Sequence, residues 1–372
     1  MNTRAIYSAD LAGIEVGETA ISDVNGTEGI LSYRGQSIET LVGKPFWQVV
    51  WLVLFGTRPT PAQELSLSEF VGVHGVLDKS ELGLLSAVPA GLHPMLVLQG
   101  MVPLLNLQPK WQLKDVSGVA ASGLIIAAKI PAIIAAYHRL EEGEVSICAN
   151  PELSFHENFL MQFNGRLPTS EQTKIMDTVQ ILQMEHSFNA GTFAGRVCAS
   201  TRAPIQSSIA ASIGTLLGVL HGGADQAALE MAGAIGDPDR AKSYVDLCLS
   251  NKEKIMGMGH REYKVLDPRA KILKPMASSL CQHGEAKRLF ETLCAVEDAC
   301  QIHFAEQGKE IWANVEFYKG AVFYQLGIPP RYFTAIFSMA RAYGYIAHYL
   351  EFSENSQLIR PRARYVGNKL ER

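Results

Sequence analysis

The stretch "SGVAASGLIIAAKIPAIIAAY", residues 117–137, decides between two classes of fold. It is nearly long enough and apolar enough to cross a bilayer. Lys129 and Pro131 interrupt it near the middle, and alanine, glycine and serine fill much of the rest. That composition suits a helix inside a water-soluble protein, apolar on most faces and broken or kinked at the proline. The segments around it also read as helices. "FWQVVWLVLFG" (46–56) is apolar almost all round and stops at a glycine, after which Thr60 and Pro61 offer an N-cap and a first helical position. "SEQTKIMDTVQILQMEHSF" (170–188) carries Ile175, Val179, Ile181, Leu182 and Met184 at helical spacing, capped by Thr169 or Ser170. "APIQSSIAASIGTLLGVLHGG" (203–223) is rich in small residues and should run to the Gly222-Gly223 stop, and 329–352 is another long apolar segment. Only "GILSYRG" (29–35) reads as a strand. The expected class is all-α with at most a small N-terminal β element.

The 372 residues are 47% hydrophobic with a net charge of −4, enough for a large buried core and without the basic excess that nucleic-acid binding requires. Small molecules and other protein chains are the expected partners. The six cysteines, at 148, 198, 248, 281, 294 and 300, form no CxxC pair and read as reduced thiols. The N-terminal "MNTRAIYSADLAGIE" has no apolar leader, and a cytoplasmic location is expected. "HGGAD" and "GIPPRYF" read as loops, so 1–223 with 331–372 would form a large domain and 224–330 a smaller one.

Four loci combine residue types that a packed core does not demand. His221 in "VLHGGAD" precedes two glycines that let a ligand approach the backbone closely; a C-capping histidine is the plain alternative. In "KEKIMGMGHREYKVLDPRA" (252–270), Gly257 and Gly259 flank Met258, His260 follows, and Arg269 comes after a proline. Such a turn suits an anionic ligand, against the alternative of a surface turn with solvated charges. His186 in "QMEHSFNAGTFAGR" lies late in an amphipathic helix and is as readily a packed histidine as a ligand contact. In "IWANVEFYKG" (311–320), Glu316 stands among aromatic residues, three positions before a lysine. Arg341 downstream falls within an apolar helix, where an arginine needs either a structural acid or an anionic ligand, and Arg360 follows in "LIRPRARYVG". The histidines lack metal-site spacing, and there is no GxSxG elbow and no P-loop. Arginines to clamp carboxylates, a histidine to polarise a carbonyl and an acid to take a proton from carbon fit an anionic carbonyl substrate.

"LHGGAD", "KIMGMGHREYKVLDPRA", "NVEFYKG", "SMARAYGYIAHYLE" and "LIRPRARYVG" occur in the order found in citrate synthases and 2-methylcitrate synthases, and "GILSYRGQSIETL" and "MEHSFNAGTFAGRV" resemble that family's earlier blocks. The resemblance runs over nearly the whole chain. It implies a mostly helical homodimer of the short, simple type, with the active site in the cleft between a large and a small domain, acting in the tricarboxylic acid cycle. It further implies acyl-CoA as co-substrate and no permanently bound cofactor or metal. By matching motifs, His221 would stabilise the enol of acetyl-CoA, His260 would polarise the oxaloacetate ketone and Glu316 would remove the methyl proton. His186, Arg269 and Arg341 would hold oxaloacetate, and Arg360 would reach into the partner's site. The backbone of Lys254, Ile255, Met256 and Gly257 would meet the adenine end of CoA. The products would be citrate, or 2-methylcitrate from propionyl-CoA. The same fold acting on another acyl-CoA and 2-oxo acid, or a weakly active or non-catalytic CoA-binding relative, are the alternatives.

Three positions depart from the family pattern: glutamate for the usual aspartate at 316, Asp225 for the usual asparagine, and Met258 where an aromatic often stands. Glutamate and aspartate differ in unperturbed pKa by only about 0.4 units. The change is therefore one of reach, and a misplacement of about 1 Å can cost on the order of 100-fold in rate.

Overall fold

In the computed structural model, residues 8–11, 13–354 and 357–368 are described. The first seven residues, part of the stretch read for a leader, and the last four of the basic tail lie outside them. The described residues form sixteen α-helices and one three-stranded antiparallel sheet, Ser22–Asn25, Ile30–Tyr33 and Gln36–Ser37. Tyr33 pairs with Ser22 and with Gln36, which places the expected strand at the centre of the sheet.

Helix Phe333–Glu354 organises the larger layer, packing on Phe46–Phe55, Gly118–Glu141, Ala190–Ser200 and Ile205–Leu216. Every residue from Phe333 to His348 is buried, so this helix is enclosed on all sides rather than amphipathic. Phe46–Phe55 stops at Gly56, whose φ of +73° favours glycine. The next helix starts on a capping box of Thr60 and Gln63, with Pro61 at its first position.

Helix Gly118–Glu141 continues through Pro131 instead of breaking there. Burial overrides the local penalty: 83% of its most apolar window is inside the protein. Lys129 Nζ meets Glu81 Oε1 at 2.5 Å and the Asn106 carbonyl at 3.0 Å, so its charge is answered internally. Length and apolarity alone would let this helix cross a membrane, but its faces are spent on protein.

A second group of helices, Ala224–Ile235, Pro268–Leu280, Gly284–Glu306 and Val315–Gln325, packs mainly on itself. Two expected boundaries move. Helix Ser170–Gln183 begins on Thr169 but ends before His186. Helix Ile205–Leu216 ends well short of Gly222-Gly223, and residues 217–222 form turns. A Cβ at Gly222 would come within 2.4 Å of the Leu216 carbonyl oxygen, so this turn folds tightly onto the helix end.

Candidate active site

His186, His221 and His260 lie in connections between helices, Arg269 and Glu316 in the first turns of two helices and Arg341 on the enclosed helix, and contacts link them. His186 follows the end of Ser170–Gln183, next to Ser187 with its φ of +51°. Its Nε2 lies 3.2 Å from the Tyr263 hydroxyl, and its ring centroid is 5.5 Å from that of His260. His260 Nδ1 accepts from the main-chain N–H groups of Glu262 (3.0 Å) and Tyr263 (3.2 Å). That pattern assigns the proton of a neutral ring to Nε2. Burial and the Arg269 charge push His260 down to about 4, so the ring is neutral near pH 7 and Nε2 is a donor. Arg269 Nη2 lies 3.4 Å from it, and two donors side by side suit one anionic oxygen.

The acid beside them fixes this corner. Asp267 caps helix Pro268–Leu280 through Arg269 N at 2.9 Å and binds the Arg269 guanidinium at both ends, Nε at 3.0 Å and Nη2 at 2.8 Å. It also accepts from Val315 N at 3.2 Å, tying this corner to the start of helix Val315–Gln325. Burial opposes its charge, but Arg269 outweighs burial and holds its carboxyl below the usual range.

The glycine turn locks onto the same helix start. Gly257 and Gly259 have φ of +79° and +81°, and Met258 bridges to Ala313. Gly259 N donates to the Trp312 carbonyl and Asn314 N to the Gly257 carbonyl. A Cβ on Gly257 would come within 2.7 Å of the Phe317 ring, so only glycine lets the turn lie against the helix. Asn314 caps that helix by accepting from Glu316 N at 3.0 Å, and its amide donates to the Gly259 carbonyl.

His221 lies in the turn after Ile205–Leu216, not at a helix end. Its Nε2 is 3.2 Å from Asn189 Oδ1 and 3.4 Å from Gly191 N. Burial and the Arg341 charge push it down to about 4, so it too is neutral near pH 7. The Glu316 charge acts on both His221 and His260. Burial, with Arg269 and His260 adding to it, holds His186 well below its usual value.

Arg341 decides between the two readings open for it. It is buried, its Nε donates to the Gln183 carbonyl at 2.8 Å, and its guanidinium lies 4.8 Å from the centre of the Phe337 ring. Among the described residues no acid comes within ion-pair distance. A buried guanidinium without a carboxylate is a strong anion site, which favours the ligand reading over the structural pair.

Glu316 stands in the first turn of Val315–Gln325 and its carboxylate is bound by Lys319 Nζ. Lys319 also meets Gln183 Oε1 at 3.2 Å and Asp225 Oδ2 at 3.1 Å. The Asp225 contact is a pairing of charges without hydrogen-bond alignment. Asp225 is fully buried, so it adds no exposed negative charge beside the site. Burial pushes its carboxyl up to about 6 against the Lys319 charge, and the Glu316 charge raises it further.

The citrate synthase C-terminal domain family matches residues 10–362. The citrate synthase of Synechocystis sp. is 35% identical over 99% of this chain and 93% of its own length. The 2-methylcitrate synthase of Shewanella oneidensis is 35% identical over 98% and 96%. The chain belongs to the citrate synthase family. The crystal structure of citrate synthase from Pyrobaculum aerophilum superposes with a TM-score of 0.90 at 33% identity, covering 98% of this chain and 93% of that one. The Thermoplasma acidophilum enzyme, solved with carboxymethyl coenzyme A and oxaloacetate, gives 0.88 at 30% identity over 97% and 96%. The all-α, citrate-synthase-like fold read from the sequence is the fold found. The chain is accordingly an acyltransferase of citrate synthase type, condensing an acyl-CoA with oxaloacetate.

Two of the family-matched elements contribute no side chain to these contacts. Arg360 is exposed in the C-terminal segment, its Nη1 3.4 Å from the Pro361 carbonyl. The Lys254–Gly257 run lies beside the site, with Lys254 exposed, Met256 half-buried and Ile255 and Gly257 buried. Among the described residues no cluster of three or more His, Cys, Asp or Glu side chains is arranged to hold a metal. Four residues that shape the site went unsingled in the sequence: Tyr263, Asp267, Gln183 and Lys319. Only Lys319 left a signal there, an acid and a lysine three apart, which share a helix face.

Proposed function

We propose that this enzyme takes acetyl-CoA or propionyl-CoA and oxaloacetate to citrate or 2-methylcitrate and free CoA, with the roles falling on the residues that converge in the cleft. Glu316 removes a proton from the carbon next to the thioester carbonyl. Neutral His221 donates an N–H to that carbonyl oxygen, stabilising the enol. The carbon then bonds to the ketone carbon of oxaloacetate, whose oxygen takes up charge beside His260 Nε2–H and Arg269. Arg341, with His186 beside it, holds a substrate carboxylate. Water then cleaves the thioester and releases CoA. The observation that carries this reading is the buried guanidinium of Arg341, with no acid at ion-pair distance among the described residues, near His186 and His221, which burial keeps neutral.

Several further parts rest on family likeness. The backbone of residues 254–257 meets the adenine end of CoA, and Arg360 completes the site of a second copy in a homodimer. The 224–330 region moves as a small domain over the 1–223 and 331–372 body. The enzyme resides in the cytoplasm.

Release of free thiol from acetyl- and propionyl-CoA in the presence of oxaloacetate tests the assignment. Glu316→Gln should lower kcat by about 10²- to 10⁴-fold, the range for loss of a positioned base. Glu316→Asp should also lower kcat, because the shorter side chain cannot both meet Lys319 and reach the substrate. An unchanged rate in Glu316→Gln would remove Glu316 as the base.

A further inference from the structure

Lys319, like Asp225, is a wholly enclosed charged side chain beside the site. It is fully buried, 4.3 Å from the centre of the Phe337 ring and 5.8 Å from that of Phe323. A lysine ammonium has three N–H donors, and three oxygen atoms surround this one: Gln183 Oε1, Asp225 Oδ2 and Glu316 Oε2. The first two are anchored from elsewhere. Gln183 ends a helix of the large layer, and its main-chain carbonyl is also bound by Arg341 Nε. Asp225 sits in the first turn of Ala224–Ile235, with Oδ1 accepting from Gln226 N at 2.8 Å. That helix is pressed against the Lys319 helix, since a Cβ on Gly320 would come within 2.8 Å of the Asp225 carbonyl oxygen. The ammonium is therefore fixed from two other elements before it touches Glu316.

Glu316 is the movable partner. Its side chain is 12% exposed where those of Lys319 and Asp225 are wholly buried. Bending toward a lysine three residues ahead draws the carboxylate back along its own helix. A longer acid held in this way does not project its full length into the cleft. A lysine buried without counter-charge costs several kcal/mol, which Asp225 offsets.

We propose that Lys319, held by Asp225 and Gln183, is a positioning residue that sets the reach of the Glu316 carboxylate for proton abstraction. This rests on the reading of Glu316 as the base. The other charged or titratable groups acting around Glu316 are His221, His260, Arg269 and Asp225, so a change at Lys319 alters one cation among a fixed set.

The test uses the full-length enzyme and follows thiol release from acetyl-CoA with oxaloacetate, with thermal unfolding measured alongside. Because Lys319→Met alone strands a buried acid, the decisive variant is the charge-neutral double Asp225→Asn/Lys319→Met. Its kcat should fall by about 10- to 100-fold, as for a misplaced reacting group. Its KM for oxaloacetate should stay within about twofold, a split between kcat and KM that a general loss of structure would not give. Lys319→Arg, which keeps the charge and alters the geometry, should also lose kcat while holding that KM. A double variant with wild-type kcat would overturn the proposal, as would one whose only change is a lower melting temperature. Glu316→Gln run in parallel separates the two failures. If it keeps turnover, the base assignment and the proposal both fall; if it is inactive while the double variant is normal, the proposal falls alone.

Discussion

Two lysines are buried among the described residues, and their surroundings differ in one respect. Lys129, in the apolar helix Gly118–Glu141, meets one acid, Glu81, and one carbonyl. Glu81 is itself closed off, accepting from Asp78 N and Asn106 N at 2.9 Å each. Charge balances and nothing there is left to react. Lys319 meets two acids, one of them partly open to the cleft. The surplus carboxylate is the one proposed as the base. Burial of a charge does not separate structure from function in this fold, but the balance of charge around it does.

That comparison breaks if Lys129 proves functional or Lys319 merely structural. Glu81→Gln leaves an ammonium buried without its acid and should cost about 3–5 kcal/mol of stability. Urea unfolding reads it, and kcat per folded molecule should not change. Glu81→Gln with Lys129→Met should return most of that loss, since no charge is left buried unpaired and the amide oxygen still accepts from a main-chain N–H. A large fall in kcat at constant fold would show that the helical layer feeds the site. Next in size is Gly257→Ala. The strained φ of +79° and the 2.7 Å approach to Phe317 together predict a loss of about 1–3 kcal/mol and a lower kcat, because the turn carries the helix that bears Glu316. Gly43 makes the control. Its φ is +87° but a Cβ there meets nothing within 4 Å, so Gly43→Ala should cost about 1–2 kcal/mol of backbone strain and leave kcat alone.

The helices were legible because apolar periodicity and capping chemistry act locally: Thr60 and Pro61 mark a start and Gly56 an end without any tertiary help. Pro131 misled because its penalty is local while the burial that overrides it comes from helices distant in sequence. His186 and His221 were found as residues but placed on helices, whereas each lies in a tight connection beyond one. The apolar pattern runs on past the last helical hydrogen bond, so periodicity cannot see that bond. Asp267 and Gln183 could not be singled out, because each matters through two contacts with distant segments. Lys319 was visible as the neighbour of Glu316, but its pairing with Asp225 spans two helices that only the fold brings together.

The smallest expected effect tests the other half of the site, where charge balance plays no part. Tyr263 lies between His186 and His260: its hydroxyl is 3.2 Å from His186 Nε2, its main-chain N–H reaches His260 Nδ1, and its ring centroid is 4.7 Å from that of His260. Tyr263→Phe keeps the ring and the main-chain bond and removes only the hydroxyl contact. One neutral hydrogen bond is worth about 0.5–1.5 kcal/mol, or roughly 2- to 10-fold in an equilibrium constant. If His186 orients oxaloacetate, that factor should appear in the KM for oxaloacetate and leave kcat nearly untouched. The Asp225→Asn/Lys319→Met variant should show the reverse split. The two variants then divide the cleft into a half that holds the ketone substrate and a half that sets the base. A Tyr263→Phe enzyme that loses kcat instead would mean that His186 and His260 act as one unit in the chemical step.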